Sequence, residues 1–176
     1  MFTSMKALET TWKMEQETTR RVLAALPDSG LGYRPHAKSR TASELAWHVA
    51  TSPLWFVAEC LKLPARADVP KNAPAKAAEF AQTYDRVARA CSQALQGKND
   101  AWLAQTADFI GQKLPIGQIL GLTILHEVHH RGQLSTYLRN VGAKVPSIYG
   151  PSGDEGMEET PPPKPKKKAA ASGKRK

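Results

Sequence analysis

The chain is poor in cysteine. Cys60 and Cys91 are the two thiols in 176 residues, too few for a disulfide framework and not spaced as a zinc finger. No apolar run approaches the roughly 18 residues of a membrane span. Lys6, Glu9, Lys13 and Glu15 interrupt any signal-peptide core near the start. Apolar and polar residues nowhere alternate long enough for a sheet, and no segment repeats at a solenoid period. These absences lead to the expectation of a reduced, cytoplasmic protein with no membrane partner and one domain of ordinary size.

Acidic residues are missing from one stretch. Residues 161–176, PPPKPKKKAAASGKRK, hold seven Lys or Arg and no acid. Removing those seven from the formal charge of +9 leaves +2 on the first 160 residues, so the globular part is close to neutral. A boundary is expected near Gly150, with residues 1–150 forming the domain and 151–176 a Pro/Lys-rich, disordered tail. The tail suits a weak, salt-sensitive contact with nucleic acid or another anionic partner. No aromatic residue interleaves with its charges, which leaves out base stacking, and a solvated tail is the simpler expectation.

Four segments carry helical periodicity. The first runs from about Ser4 to Leu26, with Met5, Leu8, Trp12, Thr19, Val22, Leu23 and Leu26 on one stripe. The second opens on TASE, where Thr41 and Glu44 form a capping box, and continues to about Leu61 with an interruption at Pro53. The third spans about Ala75 to Gln96, and the fourth about Pro115 to Val141, stopped by Gly142. Between them, 97–114 is irregular, with room for short extended pieces. Four helices with one apolar stripe each predict an all-α four-helix bundle.

Chemistry concentrates in HEVHHRGQ, residues 126–133, which hold three of the five histidines. His126 and His130 lie four apart, so on a helix they differ by about 40° and leave one face. That spacing presents two neutral nitrogen ligands to a divalent metal. The fourth helix is read as a stripe of Ile116, Ile119, Thr123, His126, His130, Gln133 and Tyr137 facing inward. A second apolar stripe, Leu120, Ile124, Val128, Leu134 and Leu138, lies beside it and calls for cover from the bundle or from a partner subunit. His48 sits on a core-facing stripe of the second helix with Leu45, Ser52 and Trp55, and completes a three-histidine set with open positions for water or substrate. Zinc, nickel, iron or manganese would suit such donors.

Other residues receive simpler expectations. His129 and Gln133 are candidates to orient a ligand from outside the metal shell. Glu127 is expected to face solvent or an interface, and Arg131 to form a helix-surface ion pair. Trp47 and Trp55 are expected in core or subunit contacts, His36 exposed, and both cysteines as small buried apolar groups. His126, Glu127 and His130 also spell H-E-x-x-H, the zinc-protease signature with glutamate as general base. The longer form fails at Gln133 and Thr136, no downstream glutamate stands in a convincing helix, and no sheet is available to line a peptide cleft.

Taken together, YRPHAKSRTASELAWHVA and the distant HEVHHRGQLSTYLRNVG resemble the DinB-like (damage-inducible) superfamily over roughly residues 5–150. The resemblance implies a four-helix bundle, often a homodimer, with one metal held by three histidines, here His48, His126 and His130. It implies a metal-dependent enzyme acting on a small molecule, either a hydrolase or a transferase or isomerase that uses a low-molecular-weight thiol. The catalytic residues beyond the ligands stay open. The alternative is a non-catalytic, metal-binding or structural dimeric bundle whose basic tail contacts an anionic partner.

Overall fold

The computed structural model describes residues 1–156; the expected disorder of the basic tail, and its contact with nucleic acid, fall largely outside them. Four long helices form the bundle: α1 Met5–Ala24, α2 Ala42–Leu54, α3 Ala78–Leu95 and, after a short α4 Asp100–Leu103 and a hairpin, α5 Ile116–Asn140. The all-α expectation holds, and among the described residues no helix is long and apolar enough to cross a membrane.

Local chemistry sets most helix ends. Thr41 Oγ1 accepts from the Glu44 N–H at 3.1 Å while the Glu44 carboxylate accepts from the Thr41 N–H at 2.7 Å, the expected capping box. Such a cap contributes about 1 kcal/mol. Pro53 has no N–H to offer the carbonyl four residues back. One residue after it α2 ends, and the backbone widens into a π-helical segment, Trp55–Cys60. The start of α3 differs from expectation by three residues. Its cap comes from afar: the Asp28 carboxylate accepts from the Ala77 N–H at 2.6 Å, and that bond holds the Asp28 carboxyl below its ordinary range.

The stretch expected to be irregular forms an antiparallel hairpin, β1 Thr106–Phe109 with β2 Gln112–Pro115, and Phe109 pairs with Gln112. Strands of four residues are too short for alternation to show. Ile110 and Gly111 make the turn with φ of +54° and +78°, the signs a twisted two-residue hairpin requires. Glycine accepts that conformation; a β-branched isoleucine does so at a cost of roughly 1 kcal/mol or more.

α1 and α2 each pack on both α3 and α5, so α1 stands diagonal to α2, and α3 to α5. The core is split. One apolar cluster joins Met5, Leu8, Trp12, Phe56, Val87, Leu95 and Ile119; the other joins Val22, Leu26, Leu45, Val49, Phe80, Leu134 and Leu138. Between them lies a buried polar layer of Thr19, Glu127 and Arg131, with the Tyr84 hydroxyl reaching into it. At the other end of the chain, Asp154 accepts from the Val145 N–H at 2.8 Å and Glu155 from the Ser147 N–H at 2.7 Å. Residues just past Gly150 thus stay bonded to the segment that follows α5.

Candidate metal centre

His48 on α2 and His126 and His130 on α5 come together across the seam of these two helices. One ring nitrogen from each lies within 4.8 Å of the others. His48 Nε2 and His126 Nε2 are 3.1 Å apart; two nitrogens bound to one tetrahedral ion at 2.0–2.1 Å sit about 3.3 Å apart. Each of the three rings packs edge-on against the others, with centroids 4.5–4.8 Å apart. All three are half-buried, with one side open.

The electrostatics keep these rings neutral. Burial pushes His48 down to about 4, aided by the charges of His130, Arg40 and His126. His126 falls to about 4, first through burial and then through His130, His129 and Arg40. Burial lowers His130 as well, against an opposing hydrogen bond from Gln133. A neutral imidazole has the lone pair a metal needs.

Gln133 decides which lone pair His130 offers. Its Nε2 donates to His129 Nε2 at 3.2 Å, leaving its Oε1 to accept from His130 Nδ1–H at 2.8 Å. His130 therefore keeps Nε2 unprotonated. His126 Nδ1 is buried with no partner among the described residues, and its Nε2 faces His48 Nε2 at 3.1 Å, so that without a metal one of these two nitrogens must donate to the other. Three neutral nitrogens, one of them on a ring left unsatisfied, fit a divalent transition metal.

The neighbouring residues require corrections. The histidine face of α5 looks onto the seam with α2, while the bundle interior belongs to the face one residue on. Glu127 does not face solvent: it is 6% exposed, and its Oε1 accepts from the Thr19 hydroxyl at 2.6 Å and the Tyr84 hydroxyl at 2.7 Å. Desolvation raises its carboxyl to about 7, opposed by those two hydrogen bonds and by Arg131. Arg131 is not on the surface: it is 1% exposed and pairs with Glu15 at 2.7 Å. It also donates to Thr19 Oγ1 at 3.1 Å and to the Tyr149 hydroxyl at 2.6 Å. Thus 126 and 130 serve the seam and 127 and 131 the core, two i, i+4 pairs a step of about 100° apart. Glu127, engaged with α1 and α3, is not placed as the base of an H-E-x-x-H protease.

The remaining candidates separate cleanly. His129 is exposed and touches the cluster through Gln133 and the His130 ring. Cys91 is buried, its thiol pushed up to about 12 by desolvation, and Cys60 is half-buried. Trp47 packs on Phe80, whereas Trp55 is 46% exposed. Residues the pattern missed also reach the site: Phe56, Phe109 and Ile110, with Ser52 and Trp55 of the expected His48 stripe, join His48 and His126 around a cavity of about 440 Å³. The hairpin residues carried no periodic signal that could have placed them there.

The chain's relatives agree with this architecture. The sequence model of the DinB family matches residues 1–164. The uncharacterized protein YrdA of Bacillus subtilis (strain 168) is 32% identical over 163 residues, which cover 88% of this chain and 93% of YrdA. Among solved structures, a DinB-like protein from Bacillus cereus ATCC 10987 superposes with a TM-score of 0.78 at 28% identity, over 85% of this chain and 100% of that one. The DinB-like protein YjoA of Bacillus subtilis shares the fold at a TM-score of 0.64 and 20% identity, over 81% of this chain and 97% of that one. The chain belongs to the DinB family.

Proposed function

We propose that His48, His126 and His130 hold one divalent transition metal, zinc, nickel, iron or manganese, and that the chain is a metal-dependent enzyme acting on a small molecule. The observation that carries this reading is the convergence of three neutral ring nitrogens within 4.8 Å on a half-open seam. Such an ion supplies Lewis acidity, lowering the pKa of a bound water or thiol and polarising a carbonyl. Three protein ligands leave room for an exchangeable one.

Of the two reaction types, thiol-dependent transfer is the better supported. Among the described residues no carboxylate lines the cavity beside the histidines, and Glu127 is occupied by Thr19 and Tyr84. A metal-bound thiol is deprotonated outright, whereas a metal-bound water still titrates at about 7, so the thiol needs a base less. A low-molecular-weight thiol as co-substrate therefore asks less of these residues than hydrolysis would. The same proposal includes the homodimer the resemblance implies, with Leu125, 50% exposed on α5, as a contact residue.

Elemental analysis of untagged protein tests the metal directly. About one equivalent is expected in the parent and almost none in His48→Ala, with the helical circular dichroism of both intact. Equal metal in the two proteins, or none in either after exposure to all four ions, would sink the reading.

Gln133 provides a subtler check. Groups that orient a metal-bound histidine typically contribute about 10–100-fold in affinity. Gln133→Ala is expected to weaken metal binding by that factor in competition against a chromophoric chelator, and Gln133→Glu, which keeps an acceptor for His130 Nδ1–H, to restore most of it. An unchanged affinity in Gln133→Ala would show that His130 needs no such partner.

A further inference from the structure

We propose that the cavity walled by Trp55, Phe56, Phe109 and Ile110 seats the uncharged, aromatic or apolar body of the substrate, with the Ser52 hydroxyl holding its one polar group. This specifies a substrate class and rests on the reading of the histidine cluster as the reacting centre.

The position comes first. His48 and His126 form part of the same wall, so a molecule in the cavity lies against the cluster. The cavity's volume, about 440 Å³, falls within the range of small-molecule sites. Among the described residues its lining has no lysine, arginine, aspartate or glutamate. An ionic group seated away from the ion that the histidines would hold would lose water without gaining a counter-charge, so the body of the ligand that fits beside the aromatic walls is neutral.

The walls are flat and aromatic. Phe56 and Phe109 stack with centroids 5.8 Å apart and an interplanar angle of 17°, and Trp55 meets both edge-on at 5.1 and 6.3 Å. Two of these residues come from the π-helical segment and one from the hairpin, 53 or more positions apart in sequence. That arrangement leaves Trp55 46% exposed and Ile110 74% exposed. Neither exposure is explained by packing within the chain.

Two independent features point to an occupant. Ser52 is 8% exposed, lines the cavity, and its Oγ is buried with no hydrogen-bond partner among the described residues. The neighbouring Thr51, by contrast, donates to the Trp47 carbonyl at 2.8 Å. A buried hydroxyl left unpaired is costly and calls for a partner from outside the fold. Ile110, in turn, holds a left-handed φ of +54°, and it places a branched apolar side chain at the cavity's edge where asparagine or glycine would be easier. Strain of that kind gathers at ligand-clamping positions.

The probe for this proposal is 2-naphthol, a neutral planar molecule with one hydroxyl; its control is naphthalene-2-sulfonate, the same rings with a charge. Binding is read by calorimetry and ligand-observed NMR on full-length protein, stripped by chelator and then loaded with zinc. Naphthol should bind both forms, and in the stripped form, where no metal charge attracts an anion, at least about tenfold tighter than the sulfonate. Ser52→Ala should weaken it about tenfold, the loss of one well-placed hydrogen bond. Ile110→Gly removes the apolar edge while relieving the backbone, so the fold survives, and should weaken binding about fivefold.

Naphthol affinity unchanged by either substitution, or a sulfonate bound as tightly by the stripped protein, overturns the proposal. Zinc uptake without naphthol binding overturns the pocket alone and leaves the metal centre standing. Naphthol binding without zinc uptake, with both substitutions acting as expected, upholds the pocket and removes the metal.

Discussion

Arg131→Met should lower the unfolding free energy by about 3–5 kcal/mol, the usual cost of removing one partner from a buried ion pair. The guanidinium is 1% exposed, and it serves Glu15, Thr19 and Tyr149 together. Methionine matches much of its volume but leaves the Glu15 carboxylate, itself 13% exposed, facing an apolar neighbour. It also removes the positive charge nearest Glu127, whose carboxyl already sits near 7 through burial. Urea unfolding followed by circular dichroism reads the effect as a lower midpoint with an unchanged slope.

The double change Glu15→Leu with Arg131→Met should recover most of the loss, because both charges then leave the interior. A loss below about 1 kcal/mol for Arg131→Met would mean the pair behaves like a surface bridge. The exposed pair Arg139–Asp154, at 2.7 Å with the arginine half in solvent, provides the comparison: its contact is as short, yet solvent screens it, and Arg139→Met should leave the midpoint nearly unchanged.

Metal removal from the proposed centre should produce the other large effect. A ligand that binds only the folded state adds about 4 kcal/mol of stability at a free concentration a thousand times its dissociation constant. For a domain of this size that is a rise in melting temperature on the order of 10 °C. Zinc added to chelator-stripped protein should give this shift in the parent and abolish it in His48→Ala. Glu127→Gln should keep the shift, since Glu127 turns toward Thr19 and Tyr84 and not toward the ring nitrogens. No shift with any of the four ions would dismiss the centre. Complete unfolding on chelation would instead assign the metal a structural part, against the two apolar clusters that hold the helices together here.

The sequence by itself determined what depends on neighbours a few residues away. The four long helices, the Thr41–Glu44 box, the break after Pro53 and the Gly142 stop all follow from short-range backbone chemistry. So does the common face of His126 and His130, because the 3.6-residue period places any i, i+4 pair together. The family likeness lay in those same local strings.

Tertiary structure decided which face of α5 turns inward. The pairs 126/130 and 127/131 satisfy the same period, and one residue of rotation exchanges them. The choice rests on Thr19 and Tyr84, 108 and 43 positions from Glu127, and on Glu15 across from Arg131. A charged side chain enters a core only where such partners await it. Thr19 on an otherwise apolar stripe was the one local trace of that layer. The Asp28 cap on α3 and the hairpin edge of the cavity likewise join segments distant along the chain. Periodicity reports the geometry of one helix, and these contacts exist only after several have packed.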